Sequence, residues 1–122
     1  MMIMIPSLKD KTDWGPTPED VTAMTKYNEE LAKAGMLLSL DGLQEAAKGA
    51  RVSFSGGKPK VTDGPFTEAK EVIGGYWLIQ AGSKEEAVQW ASRCPAADGD
   101  VIEVRQVYEM EDFPPEVQAA AR

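Results

Sequence analysis

Asp63 is the residue whose neighbours best equip it to move a proton. It opens the run Asp63-Gly64-Pro65-Phe66, where a carboxylate stands beside a tight turn and close to an aromatic ring. Apolar surroundings raise a carboxyl pKa towards the range where it serves as a general acid or base. The same residues have a purely structural reading: Asp63 closes an Asx-turn, Gly64 accepts unusual backbone angles and Pro65 holds Gly64 extended. Glu68, Lys70 and Glu71 follow, either as contacts to a polar ligand at the mouth of a cleft or as solvated loop charges. Glu103 and Arg105 form a second candidate pair, two residues apart in an apolar run. A guanidinium fork suits a ligand carboxylate, whereas an internal Glu103–Arg105 ion pair is the structural alternative. Tyr27, Phe66 and Trp77 supply rings for an aromatic wall, or else for a core or an interface.

The composition removes many mechanisms. The 122 residues contain no histidine, which excludes Ser–His and Cys–His nucleophiles, imidazole acid–base chemistry and histidine-ligated metal. No metal and no cofactor is expected. Gly74-Gly75 lacks the strand-to-helix glycine pattern of a phosphate loop and reads as a bend or close backbone approach. Cys94 is the single cysteine, so no internal disulfide forms and a cytoplasmic location is expected. It precedes Pro95 near a helix end, where nothing activates a thiol. The net charge of −7 comes without a basic stripe, which argues against a nucleic-acid partner. Met1–Ile5 is apolar, but Pro6 ends it too early for a signal peptide or a membrane span.

The elements that must position these residues follow from local pattern. Met1–Ile5 predicts a buried first strand. Thr17-Pro18-Glu19-Asp20 starts a helix with Thr17 as its cap, and Gly35 ends it. Met36–Leu40 follows as a strand, then a hairpin with arms Arg51–Phe54 and Lys58–Thr62 around Ser55-Gly56-Gly57. Tyr76–Gln80 is a third core strand. Ser83-Lys84-Glu85-Glu86 has the form of a capping box and opens a second helix carrying Cys94 in its last turn. Val101–Val107 is the last core strand, with Ile102 and Val104 on one face and Glu103, Arg105 and Val107 on the other. Residues 113–122 form a short helical tail. A single α+β domain over residues 1–122 results, a ferredoxin-like βαββαβ with an inserted hairpin.

The stretch Val61–Trp77, reading VTDGPFTEAKEVIGGYW, resembles the signature of the YCII-related family, in particular its DGPF branch. Gly35–Gly42, the Glu85–Pro95 helix and Glu103-Val104-Arg105 add weaker similarity. The resemblance implies that two such sheets pair face to face as a dimeric α+β barrel. Members of the wider family have been proposed as enzymes around a His–Asp pair, and the histidine of that pair is missing here. The expectation is therefore a homodimer that binds a small polar metabolite in a cleft between sheet and DGPF loop. Asp63, Glu68, Lys70, Glu103 and Arg105 would make polar contacts and Tyr27, Phe66 and Trp77 apolar ones. Cofactor-free proton transfer through Asp63 is the catalytic form of that expectation. The alternative is a non-catalytic module that docks on a regulatory protein, in keeping with the association of DGPF proteins with sigma-factor regulation.

Overall fold

The amino-terminal apolar run forms β1 (Met2–Ile5), which lies between two other strands, and that interior position explains its composition. The computed structural model describes residues 1–7, 16–63 and 72–121. Helix α1 (Pro18–Lys33) opens on a reciprocal cap: the Thr17 hydroxyl accepts from the Asp20 amide and the Asp20 carboxylate from the Thr17 amide, both at 3.1 Å. Two amides that a helix start leaves without partners are thereby satisfied. Ala34 caps the far end, and Gly35 turns the chain at φ +73°.

Strand β2 (Leu37–Gly42) leads to the hairpin of β3 (Ala50–Ser55) and β4 (Lys58–Asp63). Its loop is two residues long, because Ser55 already pairs with Lys58. Gly56 and Gly57 take φ of 59° and 77°, the left-handed pair that such a loop requires. Strand β5 (Gly75–Ile79), helix α2 (Lys84–Ser92), strand β6 (Val101–Val104) and helix α3 (Pro115–Ala120) complete the order. The Ser83 hydroxyl caps α2 by accepting from the Glu86 amide at 3.1 Å. Cys94 falls just beyond that helix rather than in its last turn, since Arg93 is the cap.

The core sheet runs β2-β5-β1-β6 with every neighbouring pair antiparallel. With the hairpin set aside this is the ferredoxin-like βαββαβ arrangement, its first and third strands central. Strand β6 stops at Val104 instead of Val107. The Arg105 amide makes one more bond, to the Met1 carbonyl at 2.9 Å, and the neighbouring strand then ends.

Both long helices pack on one face of the sheet. Tyr27 and Leu31 from α1 join Met2, Met36 and Trp77 in the buried cluster, with Trp90, Ala91, Ile102 and Val104 against it. Tyr27 and Trp77 meet edge to face, their centroids 6.0 Å apart at 86°. The Tyr27 hydroxyl donates to the Trp90 carbonyl at 2.6 Å and the Trp77 indole to Asn28 Oδ1 at 2.8 Å. These two bonds give each ring's polar end a partner inside an apolar cluster. Arg93 lies 4.2 Å above the Trp90 ring and reaches Glu30 at 3.1 Å, so the two helices are tied together at their surface. No described helix is long and apolar enough to cross a membrane.

Candidate functional site on the open sheet face

Side chains alternate along a strand, so a sheet with helices on one face presents its other residues to the opposite side. Asp41, Tyr76, Ile3 and Glu103 occupy one cross-strand row on that open side, from β2 through β5 and β1 to β6. Leu78, two residues along β5, and Arg105, two residues past Glu103, extend the same face. Ile3, Ile5, Tyr76 and Leu78 are half-buried there, while Val101 is exposed. The Tyr76 hydroxyl donates to Asp41 Oδ2 at 2.9 Å. The Arg105 guanidinium stands 3.8 Å from Glu103 Oε2, with the two side chains 72% and 48% accessible. So long and solvated an ion pair adds little stability. Next to it, where β5 and β6 leave the sheet, a groove of about 640 Å³ is bordered by Leu38, Leu78, Lys84, Arg105 and Val107.

Glu103 and Arg105 thus share the face that strand alternation assigned them, and the ion pair foreseen as their structural role forms. Tyr27 and Trp77 are not brought to them. They are 3% and 5% accessible on the helical side, with the sheet between them and Arg105. Neither ring can wall a ligand on the open face, because each is used in the core. Asp63 ends β4 opposite Ala50, and only its backbone is described. Phe66, Glu68 and Lys70 lie outside the described residues.

Asp41 and Tyr76 were absent from the candidates, although the signal was present. Alternation applied to β5 as it was to β6 separates Tyr76 and Leu78 from Trp77 and Ile79. Cys94 belongs to the opposite side. Burial, with a contribution from Asp100, pushes its thiol up to about 11, so little of it ionises at neutral pH. Among the described residues no three acidic or cysteine side chains gather as metal ligands.

A family model of the YCII-related domain matches residues 1–111. The chain belongs to the YCII-related family. That match takes in the six described strands and the two longer described helices, leaving α3 outside it. An uncharacterised protein of Rhizobium meliloti (strain 1021) is 32% identical over 68 residues, 56% of this chain. The chain spans about 55% of that relative's length.

Proposed function

We propose that this YCII-related chain acts as a homodimer whose open sheet faces meet and enclose a site for a small carboxylate-bearing metabolite. The observation that carries this is the face away from the described helices: a half-buried row of Ile3, Ile5, Tyr76 and Leu78 interrupted by Asp41, Glu103 and Arg105. Small-molecule sites generally have that make-up, mostly apolar with a few placed polar groups. The half-buried apolar residues of the face also need a cover, which a second copy supplies.

Arg105 is the anion-binding group. Its contact with Glu103 is long and wet, so a ligand carboxylate can replace it at little cost. Asp41 holds the Tyr76 hydroxyl at the sheet face, where the phenol oxygen can still accept a bond from the ligand. The chain leaves the sheet towards Asp63 after Gly42, at the end away from Arg105. In a dimer with strands antiparallel across the two-fold axis, Asp63 of one copy approaches Arg105 of the other. A shared site of this kind supports proton transfer by Asp63 on a substrate anchored by Arg105, without a cofactor.

A thermal-shift screen of small mono- and dicarboxylates tests the reading. A ligand present at a hundred times its Kd stabilises by about 2.7 kcal/mol, an easily measured rise in Tm. The rise should vanish in Arg105→Ala while the ligand-free Tm stays unchanged. A panel without any hit, or a hit that survives Arg105→Ala, refutes it.

A further inference from the structure

The Glu103–Arg105 pair sets a condition on any carboxylate that binds there. At 3.8 Å it leaves both side chains solvated in the single chain. A ligand carboxylate that takes Arg105 leaves Glu103 without its partner. Ile3 stands directly across from Glu103 in the strand register and is half-buried. Once the face is covered, an unpaired carboxylate beside Ile3 is costly. A positive charge on the ligand itself removes that cost. The spacing suits a short link between the ligand's two charges. Residues two apart on a strand stand about 6.6 Å apart, so the pair closes to 3.8 Å only at its tips. When the tips part, each can reach one end of a molecule whose charges flank a single carbon, through charge-assisted bonds of about 2.8 Å.

The groove beside Arg105 describes the rest of the molecule. Leu38, Leu78 and Val107 border it, with Leu38 and Val107 58% and 47% accessible. Its volume of about 640 Å³ leaves room for a branched or aromatic side chain. Lys84 and Glu109 border the same groove with opposite charges, so its walls call for no second net charge on the ligand. The Met1 ammonium at the same end donates to the Arg105 carbonyl at 2.6 Å, which holds the backbone that carries the guanidinium. The chain's net charge of −7 disfavours the approach of an anion and is indifferent to a molecule whose charges cancel.

We propose that the metabolite is an α-amino acid with an apolar side chain. Its carboxylate takes Arg105, its ammonium takes Glu103, and its side chain lies in the groove against Leu38, Leu78 and Val107. The inference rests on the carboxylate site proposed above and names the class of molecule that fills it.

Isothermal titration tests it by comparing leucine and phenylalanine with isocaproate and hydrocinnamate, the same skeletons without the amine. The amino acids should bind about tenfold or more tightly than these acids, the contribution of one charge-assisted bond. Glu103→Gln should remove that preference, weakening leucine by about the same factor while isocaproate binds no more weakly than before. Arg105→Ala should abolish the binding of both. Glu103 is 48% accessible in its ion pair, so the ligand-free Tm of Glu103→Gln should remain that of the parent protein. Isocaproate bound as tightly as leucine, or a preference that survives Glu103→Gln, overturns the amino-acid assignment while leaving the carboxylate site standing. Binding of neither series overturns the assignment, and the wider carboxylate screen then decides whether the site itself stands.

Discussion

Replacing Gly75 by alanine should unseat the strand that carries Tyr76 and Leu78. A Cβ at Gly75 would lie 2.8 Å from the Asp41 carbonyl oxygen and 3.3 Å from the Gly42 Cα. Ordinary contact begins near 3.4 Å, so β2 and β5 must separate by about 0.6 Å at this point. The obstacles are backbone atoms, which cannot rotate away as a side chain could. Spreading the strands weakens about two ladder hydrogen bonds at roughly 1 kcal/mol net each, and distorts the buried packing beneath them. Alanine returns roughly 0.4–1 kcal/mol by restricting the unfolded chain, leaving a net loss of about 1.3 kcal/mol before any cost of distorted packing. For a domain of this size that is a fall in Tm of about 5 °C. Gly42, directly opposite in the register, supplies the control, because a Cβ there meets nothing within 4 Å. Calorimetry of Gly75→Ala and Gly42→Ala side by side decides the matter. Equal melting temperatures, or a larger loss at Gly42, would refute the close-approach argument.

Other perturbations follow from the same coordinates. Leu31 has no accessible surface, and Leu31→Ala should cost about 3 kcal/mol in urea unfolding, as a core cavity does. Tyr27→Phe removes the 2.6 Å bond to the Trp90 carbonyl and should lower stability by about 1 kcal/mol, with the Trp fluorescence altered. Burial lifts the Tyr27 phenol from 10.0 to about 12, with Cys94 adding and Arg93 opposing. The folded state then retains a proton that the unfolded state has lost, so Tm should fall as pH rises from 10 towards 12. Tyr27→Phe should flatten that part of the profile, and an unchanged slope would refute the assignment. Arg105→Ala should change stability by less than about 0.5 kcal/mol, because its ion pair is long and exposed.

The helix starts were the most legible features, because capping is local: Thr17 and Ser83 accept from amides three residues ahead wherever the rest of the chain goes. The glycine pair was legible too, since the close approach of Gly75 to the neighbouring backbone is the kind of demand that selects glycine in a strand. Alternation gave the faces of Glu103 and Arg105 because β6 pairs with β1 without a register shift and the Arg105 amide continues that pairing by one bond. The end of β6 was not legible, since it depends on where β1 begins, about a hundred residues earlier. Which of the two readings of Tyr27 and Trp77, ligand wall or core, the chain adopts was not legible for a related reason; the core reading is the one observed. Aromatic type does not reveal which face a ring takes, and their hydrogen bonds to Trp90 and Asn28 join residues distant in sequence. Alternation along β5 made the face of Tyr76 legible, but its contact with Asp41 was not, because that needs the β2–β5 register, which includes an irregularity between Leu37 and Ser39.

The central claim is that the open sheet face is covered by a second copy and holds a small ligand. Native mass spectrometry of freshly purified protein, beside its denatured mass, tests it most directly. The expected spectrum contains a species at twice the 13.3 kDa chain mass, carrying additional mass that is released on denaturation and lost in Arg105→Ala. A bare monomer at micromolar concentration would contradict the paired sheets and the shared site together.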